Sequence, residues 1–141
     1  MNQILDFLLY SNRRVRVIDQ KTHAILDYAT TAYFAGLAAY FWGKNRRAAA
    51  VAIINAAEVL GLSLFTDYPG GVVKAIPFET HGKIDLVQAA SAAALPWLMG
   101  FGHKPQALPF HLQALNEVGV VDLTDWESGA DAREERWRKA S

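Results

Sequence analysis

The 141-residue sequence contains no cysteine. That excludes disulfides, thiolate metal sites and thiol catalysis, and leaves the redox compartment open. It has no net charge, 14 basic side chains balancing 14 acidic ones, so no global field favours nucleic acid and no such partner is expected. A Gly-rich phosphate loop, a Gly-x-Ser-x-Gly elbow and a His-Glu-x-x-His pair are all missing. Gly70-Gly71 reads as a turn, not a nucleotide cradle. Residues 1–14 have no signal-peptide pattern. Their apolar run is short, carries Asp6 and precedes Arg13, Arg14 and Arg16 instead of following a basic stretch. Ile4, Leu5, Leu8 and Leu9 fall on one helical face, so an amphipathic helix is expected there, lying on a membrane surface or packed on the main domain.

What is present is an internal duplication. Thr22-His23-Ala-Ile-Leu-Asp27 returns 58 residues later as Thr80-His81-Gly-Lys-Ile-Asp85. Laying 15–71 over 73–129 without gaps gives 14 identities in 57 positions. Outside Ala and Leu these include Val15/Val73, Ile18/Ile76, Gly61/Gly119, Thr66/Thr124, Asp67/Asp125 and Gly71/Gly129, while Tyr68 matches Trp126. A period of this kind is the signature of a tandem repeat. The expected organisation is a segment 1–14, a two-helix repeat over 15–71, a second over 73–129, and a charged tail 130–141, helical or disordered.

Each repeat reads as a helical hairpin. Segment one runs from about Thr22, a reasonable N-cap, to Trp42, with no charge between Tyr28 and Trp42. As a helix, 24–42 spans about 28 Å, close to a bilayer core. Segment two is Ala48–Phe65, with Asn55 and Glu58 as its strongly polar residues, and it ends at the breaker cluster Thr66–Gly71. Segment three, Thr80–Phe101, carries Pro96, which should kink it or loosen its last turn. Segment four, Gln106–Leu123, is more polar and is raised to a span by its place in the repeat. The expected fold is all-α: a four-helix transmembrane bundle of two tandem hairpins, with both repeats entering from one side. Trp42, Trp97 and Trp126 read as membrane-interface anchors. Lys44, Arg46, Arg47 and Lys104 lie on the side of the short turns, and the other ten of the 14 basic residues lie on the terminal side. The expectation is therefore a multi-pass protein of the bacterial inner membrane with both termini cytoplasmic.

At Ile76-Pro-Phe-Glu-Thr-His81-Gly-Lys-Ile-Asp85, followed by Leu95-Pro96-Trp97-Leu-Met-Gly-Phe101, the sequence resembles the SPW-repeat family of small bacterial membrane proteins. The resemblance covers roughly 15–129. It departs at the eponymous serine, which is Leu95 here, and in the first copy, where Leu37-Ala38-Ala39 stands in place of Leu95-Pro96-Trp97. It implies a duplicated two-helix membrane unit and carries no activity with it.

Two sets of residues could carry chemistry. His23 and Asp27 are four apart on a helix and share a face, as do His81 and Asp85. If the two helices face each other, two imidazoles and two carboxylates converge, a plausible set for a divalent metal, and the histidines could ligate a haem. The blander reading has each Asp accept a hydrogen bond from its own His, bracing its own hairpin, with the two sites too far apart to share a partner. The second set is a polar seam in which Asn55 and Glu58 align with Gln113 and Asn116, with Glu117 next door. It reads as interhelical hydrogen bonding, or as a small-ligand site or proton path centred on Glu58.

The expected function is structural or accessory: a non-enzymatic membrane protein packing against itself or a larger membrane assembly, with no cofactor required. The alternative is a carrier or binder of a small ligand, metal or haem that uses the His/Asp motif. A third reading is a soluble all-α domain, favoured by the polar fourth segment and a mean hydropathy of only +0.06.

Overall fold

The computed structural model describes residues 15–141, so the amphipathic segment expected at 1–14 lies outside the described residues. The described chain is all-helical. In order come α1 (Gln20–Phe41), α2 (Arg46–Leu64), α3 (Phe78–Leu98), a 3₁₀ turn (Pro105–Ala107), α4 (Leu108–Leu123) and α5 (Ala130–Ala140). Among the described residues extended pairing is limited to two isolated bridges. By length and composition one of these helices, α2, is apolar enough to cross a membrane.

Local chemistry sets the helix ends. α1 begins three residues earlier than a Thr22 cap would place it because Asp19, not Thr22, is the N-cap, its Oδ1 accepting from the Thr22 N–H at 2.8 Å. That bond holds the Asp19 carboxyl below the usual aspartate range. Pro77 occupies the same place ahead of α3. Asn45 caps α2, accepting from the N–H groups of Arg47 and Ala48 at 3.1 Å each. Pro105 and Pro109 fall in first turns, where a missing N–H costs little. Pro96 sits inside α3, which stops two residues later at Leu98.

α1 packs chiefly on α2, α3 on α4, and α2 on α3. The larger core lies towards the two short turns. There Phe34, Phe41, Phe101 and Phe110 pack among Ala48, Ala49, Val51, Ala52 and Ala92, with Phe110 stacked on both Phe34 and Phe41. Alanine lets the helix backbones approach closely enough for those rings to fill the space between them. A smaller cluster, Ala24, Tyr68 and Phe78 with Trp126 against it, closes the opposite end.

At that end the contacts recur 58 residues apart. Ile18 bridges Thr124, and Ile76 bridges Thr66. The Asp125 N–H donates to the Ile18 carbonyl and the Asp67 N–H to the Ile76 carbonyl, each at 2.8 Å. The segment leading into α1 is therefore tied to the end of α4, and the segment leading into α3 to the end of α2. The charged tail is the helix α5. It returns to this end through Arg133 with Glu79 and Arg136 with Asp67, the latter pair at 2.6 Å.

Candidate metal centre

The bridges bring the two helix starts face to face. His23 and Asp27 come from the first two turns of α1, His81 and Asp85 from those of α3. The Nε2 atoms of His23 and His81 lie 3.3 Å apart. His23 Nε2 is 3.1 Å from Asp85 Oδ2 and 3.4 Å from Asp27 Oδ1. His81 Nε2 is 3.1 Å from both Asp27 Oδ2 and Asp85 Oδ2. Both histidines are fully buried. The expectation that each His/Asp set serves its own hairpin does not hold, because the four side chains form one cluster.

The threonines that match in the sequence fix the imidazole tautomers. Thr124 Oγ1 donates its one hydrogen to the Val120 carbonyl at 2.6 Å, and Thr66 Oγ1 donates to the Leu62 carbonyl at 2.6 Å. Each hydroxyl can then only accept from the imidazole beside it. His23 Nδ1–H donates to Thr124 Oγ1 at 2.9 Å, and His81 Nδ1–H donates to Thr66 Oγ1 at 2.7 Å. A neutral imidazole protonated at Nδ1 presents a bare lone pair at Nε2. Two such lone pairs and two carboxylates therefore point at one spot. The pins also cross between the halves of the chain, since each threonine follows the hairpin that does not carry its histidine.

Groups this close must share protons or a cation: a protonated imidazole would donate Nε2–H to the carboxylates, and with both imidazoles neutral a metal ion between the four would satisfy them. Charge-assisted N–H···O bonds from protonated histidines would run at about 2.7–2.9 Å, whereas the observed separations are 3.1–3.4 Å. Ligand bonds of about 2.0–2.2 Å in tetrahedral array give ligand–ligand edges of about 3.3–3.5 Å. The separations of 3.3 and 3.4 Å fall in that range, the three of 3.1 Å fall just below it, and the four ligand atoms all lie within 4.8 Å of one another. A porphyrin does not fit, because the carboxylates flank both imidazoles and the Nε2 atoms meet with no slot for a disc.

Aromatic residues seal the centre. The Tyr68 hydroxyl donates to Asp27 Oδ2 at 2.7 Å. Burial pushes the Tyr68 pKa well up, so the phenol stays protonated as that donor. The ring packs at 5.2 Å from His81, and Trp126 packs at 5.0 Å from His23. Trp126 was expected at a membrane interface. It is half-buried against the site instead, its Nε1–H donating to the Val121 carbonyl at 3.2 Å. Gly82 makes room for it, since a Cβ there would stand 2.7 Å from the indole ring. In the 58-residue register Gly82 matches Ala24 and Trp126 matches Tyr68, so the larger ring is paired with the smaller neighbour. Trp42 and Trp97 are exposed.

The seam is real but differently centred. Gln88 Nε2 donates to Asn55 Oδ1 at 3.0 Å, and Gln113 Nε2 donates to Thr30 Oγ1 at 3.2 Å. Asn55 and Gln113 are buried. Glu58 and Asn116 are exposed, and Glu58 takes its hydrogen bond from Ser91 at 3.1 Å, not from Gln113, Asn116 or His111. The buried acid is Glu117, whose match in the first half is Val59. Following the register to Glu58 and Asn116 pointed one residue away from it.

No family model matches the chain, and no curated protein or solved structure matches it.

Proposed function

We propose that this chain is a membrane-integral protein whose two duplicated helical hairpins are clamped at one end by a divalent metal held by His23, Asp27, His81 and Asp85. The observation that carries the reading is the set of tautomer-fixed Nε2 atoms 3.3 Å apart between two carboxylates. Two nitrogens and two oxygens in a four-coordinate, buried array suit zinc best among the first-row divalent ions. Four protein ligands leave no open coordination position, so the metal staples the fold and does not activate a substrate. This agrees with a structural or accessory role and assigns no catalysis.

The membrane part of the proposal rests on the apolar outer faces of the helices. Ile53, Ile54, Leu86, Val87, Leu112 and Leu115 are all exposed, which suits a lipid surround or contact with other membrane proteins. The likeness of Ile76–Asp85 and Leu95–Phe101 to SPW-repeat proteins points the same way. In this reading two hairpins related by an axis along the membrane normal make a four-helix bundle. The metal lies near the cytoplasmic face, on the side of both termini.

Two measurements test it. Chain extracted by alkaline carbonate without detergent would refute the membrane reading. Elemental analysis of protein purified without chelators should find about one divalent metal per chain. Its absence, with no uptake of zinc or cobalt by the purified chain, would leave a proton-bridged His/Asp brace.

A further inference from the structure

The end of the bundle that holds the two short turns carries charge of one sign. Residues 28–57 and 86–116, which run into and out of those turns, contain no Asp or Glu, and their Lys and Arg residues are Lys44, Arg46, Arg47 and Lys104. The chain is neutral as a whole, so this end is a separate positive field. All four cations line one open cleft of about 450 Å³ between the turns, together with Asn45 and Gln106. Among the described residues the Lys and Arg ion pairs lie elsewhere, and none neutralises these four. In the 58-residue register Arg46 matches Lys104, so each hairpin supplies a cation from the equivalent position of its turn.

The cations are held in place without being neutralised. Arg47 reaches from α2 to the end of α3, its Nη1–H donating to the Met99 carbonyl at 3.4 Å. Gly100 leaves the room for it, since a Cβ there would stand 3.1 Å from Arg47 Nη1. Lys44 Nζ lies over the Tyr40 ring, 3.5 Å from its centroid. Asn45 already takes the N–H groups of Arg47 and Ala48 at the start of α2, so an anion here meets side chains and not a free helix end. A second cleft of about 340 Å³ opens beside the first. It shares Lys44, Asn45 and Gln106 with it and is otherwise walled by Tyr40, Phe41, Pro105 and Pro109. Where the two clefts join, one end of the Gln106 amide is buried with no hydrogen-bond partner.

We propose that the two clefts together bind one phospholipid with an anionic headgroup, its phosphate among Lys44, Arg46, Arg47 and Lys104 and the start of an acyl chain against Tyr40, Pro105 and Pro109, which rests on the membrane reading above and not on the metal. In that reading the short turns stand at the headgroup level of the leaflet opposite the termini. Unpaired Arg and Lys attract a phosphodiester and repel the ammonium of a zwitterionic headgroup. The apolar cleft favours a lipid over free phosphate, which has nothing to place there. The unpartnered end of Gln106 finds a headgroup hydroxyl or a phosphate oxygen in either orientation of the amide.

Native mass spectrometry of delipidated full-length protein in neutral detergent tests this, with phosphatidylglycerol, phosphatidylcholine and inorganic phosphate as probes. Wild type should retain phosphatidylglycerol on the order of tenfold more tightly than phosphatidylcholine, at about one lipid per chain. Inorganic phosphate at the same concentration should not displace it. The double variant Arg46→Gln/Lys104→Gln should lose on the order of tenfold in phosphatidylglycerol affinity. Both side chains are exposed, so the packing is retained, and thermal melting checks it. Lys21→Gln/Lys83→Gln removes the same charge from exposed positions on α1 and α3 outside the clefts and should bind like wild type. Equal retention of the two lipids by wild type would overturn the proposal. An equal loss in the Lys21/Lys83 variant would overturn it as diffuse attraction, and displacement by inorganic phosphate would overturn it as a plain anion site. A membrane-integral chain with any of these results refutes this proposal alone, whereas extraction by alkaline carbonate refutes the membrane reading and this proposal with it.

Discussion

His23 and His81, 58 residues apart in the chain, meet Nε2 to Nε2 at 3.3 Å in the interior. Each is held from behind by a threonine whose only hydrogen is already spent on a backbone carbonyl. The arrangement aims two lone pairs at the same point, and the consequences can be measured.

Thr66→Val and Thr124→Val remove the hydroxyls that fix the tautomers while keeping the side-chain shape. Each should weaken zinc affinity by about 10–100-fold, the usual effect of losing an outer partner of a ligating histidine. Competition against a chromophoric chelator reads this out. Unchanged affinity in both variants would mean that the threonines only cap helix ends.

Tyr68→Phe removes the donor to Asp27 Oδ2 and leaves a buried carboxylate oxygen short of one partner. The expected cost is about 1–3 kcal/mol in the metal-free protein. The loss should shrink in the metal-loaded protein, where the cation satisfies the same oxygen. Chemical denaturation in mild detergent, with and without zinc, gives both values.

Gly82→Ala drives a methyl group into the Trp126 ring. It should destabilise by about 1–3 kcal/mol, as overpacking does. Adding Trp126→Tyr recreates the Ala24/Tyr68 pairing of the first half and should recover much of the loss. A double variant no better than the single would show that the two positions are not a size-matched pair.

Arg136→Ala removes the partner of Asp67, whose side chain is only 4 % exposed. Lys74, 3.9 Å from the same oxygen, offers partial replacement. With the guanidinium itself 43 % exposed, the expected cost is about 1 kcal/mol or less. Release of α5 to proteolysis should precede unfolding of the rest of the chain.

The sequence made the His/Asp positions legible because they repeat, and it placed each pair on one helical face because four residues make about one turn. It also singled out Thr66 and Thr124 as matched, but their part could not be seen. A hydroxyl that pins an imidazole of the other hairpin is a tertiary fact with no local signal. For the same reason the two sets looked independent, since periodicity orients a side chain on its own helix and says nothing of which helix it meets. Trp126 looked like an interfacial aromatic because composition cannot distinguish a ring at a lipid boundary from one lying over a histidine, although Gly82 in place of Ala24 was a hint. Glu117 was passed over because the duplication paired Glu58 with Asn116, and the buried acid breaks the repeat.

The central claim is that His23 and His81 serve one cation, and a thermodynamic cycle with metal content tests it most directly. His23→Ala, His81→Ala and the double variant are purified in detergent without chelators, and each is measured for bound divalent metal and thermal stability. One shared centre predicts about one metal per wild-type chain, loss of most of it in either single variant, and a double variant scarcely less stable than the singles. Wild type without metal, and stability losses from the two histidines that simply add, would contradict it.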